Sequence, residues 1–300
     1  VDMPRVVNIG SINIDHVYRV PHVVHPGETL AATRYDRFPG GKGFNQSIAL
    51  ARAGVPVAHA GYVGRDGLWL RERLADEGVD VSALLVTDDP TGQAFIQVTP
   101  EGENAILIHG AANRSLTTAA AEALVAACRH DDRLLLQHEI SSIPAILQAA
   151  HARGLPVIFN PAPMEPAVRD YPLDAVRLFV VNQVEASQLV GPAEPREQLR
   201  AMRERFPAAH ALLTLGRDGV MAATEEGIVQ VPGFPIEPVD TTAAGDTFIG
   251  YFLAHRLRGA PLDESLRQGC AAAACCCLKP GAADAIPSRA TVAEFLQDRE

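Results

Sequence analysis

The sequence predicts an α/β protein: a doubly wound, mostly parallel sheet flanked by helices, with a small separate β-sheet that reads as a lid, a dimer surface or both. Three observations predict it. From residue 117 onward, short apolar runs alternate with amphipathic helical stretches, an order that gives parallel strands covered on both faces. At 91–109, two β-rich runs surround a turn cluster and read as a hairpin outside that sheet. Glycine- or alanine-rich turns also lead directly into helices at 40–43 and 241–245, where backbone can approach a ligand closely.

Composition narrows the function. A chain of 300 residues has room for one large α/β domain or two small ones. We expect a single domain over 1–300, with lid strands from about 27–38 and 91–110. At 47% hydrophobic and 21% charged residues it can bury a substantial core. The net charge of −10 argues against nucleic acid as a partner, because Lys and Arg drive that binding. A phosphate substrate stays open, since a local nest of amides works on an acidic protein. No apolar run approaches the ~20 residues of a membrane span and no signal peptide is visible, so we expect no membrane partner and a cytoplasmic location. Val1-Asp2 before Met3 reads as an expression remnant. The five cysteines, three of them consecutive at 275–277, fit neither a disulfide framework nor a zinc site and read as small buried helix residues. The ten histidines show no ligand spacing, and we assign them no metal role.

The elements follow in order. Val6-Val7-Asn8-Ile9-Gly10 is a buried first strand. It is read as continuing through Ser11-Ile12-Asn13-Ile14-Asp15, whose alternation puts Asn13 and Asp15 on one face at the strand tip. Residues 26–35 read as an excursion of short strand. Gly40-Gly41-Lys42-Gly43 then leads into a helix from Asn45 to about Ala53; its glycine spacing is neither a P-loop nor the dinucleotide fingerprint. A strand at 57–63 and a helix at 68–74 precede the hairpin. Helices at 117–129, 143–153, 184–190 and 196–205 alternate with strands at 133–138, 156–160, 176–181 and 210–215. Ligands bind beyond the carboxyl ends of such strands, where Glu139, Asn160, Asn182 with Glu185, and Thr214-Leu215-Gly216 stand. Each alone is more often a cap or turn residue; their shared edge points to a site. An Ala/Cys-rich helix at 262–278, a loop at 279–284 and a helix at 291–297 close the chain.

The whole is organised around Val239-Asp240-Thr241-Thr242-Ala243-Ala244-Gly245-Asp246-Thr247-Phe248. Apolar residues recur at helical spacing downstream, so a helix begins near Gly245. The N–H groups of Ala243, Ala244, Gly245 and Asp246 can point outward together and bind an anion. Asp246 would repel that anion unless it has another task. One is to take a proton from a hydroxyl that attacks a phosphoryl group held by those amides; the plainer one is a helix cap.

These segments together resemble the ribokinase family of carbohydrate kinases, the PfkB-type kinases, from Val6 to about Phe295. The resemblance rests on Gly10-Ser11-Ile12-Asn13-Ile14-Asp15-His16, Gly40-Gly41-Lys42-Gly43-Phe44-Asn45-Gln46, Asn182-Gln183-Val184-Glu185 and the 240–248 stretch. It implies an ATP-dependent sugar kinase in which the lid closes the sugar site. Asp246 is then the base, with Ala243, Ala244 and Gly245 as the anion hole. Asn13, Asp15, Gly41, Lys42, Asn45 and Glu139 match sugar-binding positions. Asn182 and Glu185 match the motif that organises phosphate and Mg²⁺, with Glu185 acting through water. Thr214, Gly216, Gly219, Lys279 and Gly281 match positions near the nucleotide. Asp240, Thr242, Lys279 and Gly281 correspond to a K⁺ site, with Ala285 where serine is common. The complete sugar-contact set implies D-ribose, phosphorylated on its 5-hydroxyl. Kinases for deoxyribose, another furanose or a nucleoside are the alternatives, and a non-catalytic sugar-binding regulator is a remote one. Phe44 replaces the family's usual alanine, which would alter sugar choice if it faces the pocket. The resemblance also implies a homodimer through the lid.

Overall fold

The computed structural model describes residues 3–299; Val1-Asp2 lie outside the described residues. In chain order the elements are β1 (Val6–Ile9), β2 (Asn13–Arg19), β3 (Arg34–Gly40), α1 (Lys42–Arg52), β4 (Val57–Gly64), α2 (Leu68–Asp76), β5 (Leu84–Thr87), β6 (Gly92–Val98) and β7 (Asn104–His109). There follow α3 (Thr118–Ala126), β8 (Arg133–Gln137), α4 (Ile143–Arg153), β9 (Val157–Asn160), β10 (Val176–Asn182), α5 (Gln183–Val190), α6 (Pro195–Arg205) and β11 (His210–Thr214). The chain ends with β12 (Val220–Thr224), β13 (Gly227–Val231), α7 (Ala244–Leu257), α8 (Leu262–Cys277) and α9 (Arg289–Gln297).

Nine strands form the main sheet in the order β13-β12-β11-β10-β9-β8-β1-β4-β5. Pairing is parallel from β11 to β5, and β12 and β13 add an antiparallel edge. Strand alternation divides the core in two. Leu135, Val6 and Leu212 face one layer with α1, α2, α7, α8 and α9. Leu134, Leu136, Val7 and Leu213 face the other, with α3 to α6. All five cysteines are buried and unpaired, and 275–277 pack inside α8. Among the described residues, no helix is long and apolar enough to cross a membrane.

A separate four-stranded sheet has the order β3-β2-β6-β7. It corrects three expectations. The first strand does not run on to Asp15: the chain breaks at 10–12, and Asn13 and Asp15 begin β2 of this second sheet. The lid strand expected at about 27–38 lies at Arg34–Gly40 instead, because its register is set by pairing with Asn13–Arg19 rather than by local pattern. Helix α1 starts at Lys42, three residues before the expected Asn45. Three strands, β5, β12 and β13, were not anticipated. β5 is short and exposes Leu85 and Val86, so it lacks the buried run that marks a strand.

Candidate active site

Two helix starts and several strand ends meet at one place. At α7, Ala243 adopts a left-handed conformation (φ 60°) ahead of Ala244. The first-turn N–H groups of Gly245 and Asp246 lack intrahelical partners. Ala244 departs from the expected nest, because its N–H turns back to the Thr241 carbonyl at 3.2 Å. A cavity of about 240 Å³ opens at this turn, lined by Ala243, Ala244, Gly245 and Asp246 and, across from them, Lys42, Asn182, Glu185 and Thr214. Thr241 and Asn160 line it too.

Asp246 is only 7% exposed. Its carboxylate accepts from Asn45 Nδ2 at 3.1 Å and from Gln46 Nε2 at 2.8 Å. Both donors come from α1, whose start depends on Gly41. Gly41 has φ 92°, and a Cβ there would meet the Asn13 backbone nitrogen at 2.9 Å. Only glycine fits that close approach without strain. Lys42, the first residue of α1, donates its backbone N–H to Glu139 Oε2 at 2.9 Å. Ser11 Oγ donates to the same carboxylate oxygen. Burial lowers the affinity of the Lys42 ammonium for its proton, but the carboxylates of Asp246, Glu139 and Glu185 outweigh burial and hold its pKa above the ordinary value. Lys42 is therefore a fixed positive charge at the cavity.

The other expected sugar contacts sit where the two sheets join. Asn13 is buried, and its Oδ1 accepts from Asn113 Nδ2 at 2.8 Å. Asp15 lies over Gly40, where a Cβ would come within 2.2 Å of its carboxylate. Burial, reinforced by the nearby Glu139, pushes Asp15 up to about 7.

On the opposite wall, Asn182 and Glu185 form a capping box for α5. Glu185 N–H donates to Asn182 Oδ1 at 2.9 Å, and Asn182 N–H donates back to Glu185 Oε2 at 3.0 Å. The pair is thus structural as well as cavity-facing. Burial raises the Glu185 pKa; the Asn182 N–H and Lys42 oppose it, and Asp246 adds to it.

Several expected residues lie outside the cavity lining. Gly216 and Gly219 shape the turn between β11 and β12, where Leu215 N–H donates to the Gly219 carbonyl at 2.8 Å. Asp240 anchors a neighbouring loop. Its Oδ1 accepts from the Thr242 N–H (2.9 Å) and hydroxyl (2.6 Å), and its Oδ2 accepts from Gly281 N–H (3.0 Å). Burial works against its charge, but the Thr242 and Gly281 hydrogen bonds prevail and hold its pKa below the usual carboxylate value. Lys279 is exposed beside this loop. Phe44 is fully buried in the core against the α7 layer, so it does not face the pocket. The histidines show no ligand spacing along the sequence, yet the fold brings His22 and His25 beside Glu28, their ligand atoms within 4.8 Å of one another. They sit in the β2–β3 connection, with His22 Nε2 already paired to Glu28 at 2.8 Å.

Sequence reasoning assigns no role to Gln46, Asn113 or Thr241, and it names Asn160 only among the strand-end residues at the site's edge. Asn160 was visible as a strand end and Gln46 as a motif neighbour. The contact from Asn113 to Asn13 spans 100 residues, and no local pattern signals it.

A helix-start anion site beside a buried carboxylate, on a doubly wound sheet, is the arrangement of an enzyme that moves a phosphoryl group to a hydroxyl. The profile of the pfkB family carbohydrate kinase matches residues 3–289. The ribokinase of Haemophilus influenzae is 36% identical over 298 residues, covering 96% of this chain and 97% of that protein. Among solved structures, ribokinase from Cryptococcus neoformans var. grubii serotype A in complex with ADP superposes with a TM-score of 0.86 at 33% identity, covering 97% of this chain and 99% of that one. Arabidopsis thaliana ribokinase complexed with ribose and ATP gives a TM-score of 0.86 at 30% identity, covering 99% of both chains. The chain belongs to the pfkB family; it is a carbohydrate kinase.

Proposed function

We propose that this kinase transfers the γ-phosphoryl group of ATP to the primary hydroxyl of D-ribose, giving ribose 5-phosphate. The observation that carries the reading is Asp246, a buried carboxylate held by two amides in the same cavity as the α7 turn and Lys42. A carboxylate accepting two N–H bonds is positioned to take one more proton, from the attacking hydroxyl. The turn at Ala243, Ala244 and Gly245 supplies positive potential where charge builds on the transferring group. Ribose as substrate is supported by the likeness to the Arabidopsis enzyme in complex with ribose and ATP.

Asn13, Asp15, Gly41, Lys42, Asn45 and Glu139 are proposed to hold the sugar. Their carboxylates, amides and ammonium pair with hydroxyls, and Asn45 Oδ1 is buried without a partner, which leaves an acceptor for one. ATP is proposed to lie along Asn182, Glu185 and Thr214 and past Gly216, Gly219, Lys279 and Gly281. The Glu185 carboxylate suits Mg²⁺ held through water, and that ion supplies charge neutralisation on the phosphates. A K⁺ site at Asp240, Thr242, Lys279 and Gly281 is compatible with the anionic state that the Asp240 hydrogen bonds favour. Ala285 is buried and offers no side-chain ligand. A cytoplasmic location and a homodimer through the lid belong to the same reading. The test is Asp246→Asn. It should keep ribose and ATP affinity within a few-fold and cut turnover by about 10²–10⁴; equal turnover in variant and parent would remove Asp246 from the mechanism.

A further inference from the structure

Behind Asp246 lies a buried polar chain that the reaction as described does not use. Gln46 Nε2 donates to Asp246 Oδ1 at 2.8 Å and to Asn160 Oδ1 at 3.2 Å. Gln46 Oε1 accepts from Gln137 Nε2 at 2.7 Å, and the same Gln137 nitrogen donates to Asn8 Oδ1 at 3.0 Å. Asn8 Nδ2 in turn donates to Ser47 Oγ at 2.8 Å. Ser47 Oγ meets His59 Nδ1 at 2.8 Å, and His59 Nε2 meets the Gly10 carbonyl at 3.2 Å. Gln46, Gln137, Asn8, Ser47 and His59 are all fully buried.

The direction of donation is fixed from both ends. A backbone carbonyl only accepts, so His59 carries its proton on Nε2 and accepts at Nδ1. Ser47 must then donate to His59 and accept from Asn8, which turns Asn8 Oδ1 toward Gln137. Burial drives His59 down to about 4, so it stays neutral and keeps this pattern. At the other end, Asn160 Nδ2 donates to the Val180 carbonyl at 2.9 Å, which leaves its Oδ1 facing Gln46 as an acceptor. A flipped Gln46 would therefore point an oxygen at two acceptors, Asp246 and Asn160, and would lose the bond from Gln137. In an apolar interior each unpaired polar atom is costly. One orientation of Gln46 survives, and it aims an N–H at Asp246.

We propose that Gln46 is a positioning residue for Asp246, locked by Gln137 and the buried chain behind it, so that the carboxylate presents a fixed acceptor to the substrate hydroxyl. This rests on the reading of Asp246 as the base. Gln46 touches neither substrate in this account; it acts through Asp246 alone.

The test is a double-mutant cycle on the full-length protein, reading kcat and KM for ribose and ATP. Gln46→Met keeps length and volume but removes the N–H. It should lower kcat about 10²-fold, the scale of a small misplacement of a catalytic group, with both KM values within a few-fold. In an Asp246→Asn background, Gln46→Met should cost no more than a few-fold further. Unchanged kcat in Gln46→Met, or the same loss in both backgrounds, would overturn the proposal. Full turnover in Asp246→Asn alone would instead overturn the assignment of the base. If Gln46→Met does not fold, Gln137→Met serves in the same cycle, because it leaves Gln46 in place and removes what orients it. A loss that vanishes beside Asp246→Asn supports the proposal; no loss, or an additive one, overturns it.

Discussion

Asp15 stands at the join of the two sheets with its acid pushed up to about 7, from an ordinary value of 3.8, by burial and by Glu139. A carboxyl whose pKa is higher in the folded state binds more protons folded than unfolded between those two values. Its contribution to stability is therefore greatest in acid and declines as pH rises from about 4 to about 7. Asp15→Asn abolishes that slope. The variant should gain melting temperature relative to the parent as pH rises from about 5 to about 8, whereas parallel curves would show that Asp15 ionises freely. Phe44 makes a different residue-scale point. Its position in the motif raised the question of sugar choice, but its ring is wholly inside the core. Phe44→Ala should lower stability by about 3–5 kcal/mol in denaturant unfolding and leave the order of sugar preference unchanged. The chemistry of Asp246, Lys42, Asn182 and Glu185 was legible because each lies in a short motif. Gln46 and Asn113 were not, because their partners are 200 and 100 residues away.

At the scale of elements, the two glycine- and alanine-rich turns matter most. Each starts a helix whose first turn faces the same cavity. Their positions were readable to within three residues, since small residues before an apolar helical period mark a start. The lid was harder. Its hairpin was plain from the turn cluster, but the remaining strands were misplaced because β2 and β3 find each other by pairing across a long connection. Along β7 the side chains of Ile106, Leu107 and Ile108 are 55%, 69% and 53% exposed. A free, apolar edge strand invites pairing with another chain. In the proposed dimer these residues are covered. The double substitution Ile106→Lys and Leu107→Lys should convert a dimer to a monomer in sedimentation analysis, and an unchanged molecular mass would place the contact elsewhere.

Across the whole molecule, the alternation of apolar strands and amphipathic helices was enough to specify the parallel sheet and its two covered faces. What it could not supply was the antiparallel edge of β12 and β13, which lies beyond the alternating pattern. The fold then brings residues 42, 182, 185, 214 and 246 to one cavity, and the proposed chemistry follows from that convergence. The central claim, transfer of phosphate from ATP to ribose, is tested most directly by ATP consumption on a panel of ribose, deoxyribose, arabinose, fructose, adenosine and inosine, first with K⁺ and then with Na⁺ in its place. The account predicts turnover on ribose above every other member of the panel, and faster with K⁺. Preferred turnover on another sugar would contradict the substrate, and binding of ATP and ribose without turnover on any member would contradict the kinase itself in favour of a sugar-binding regulator.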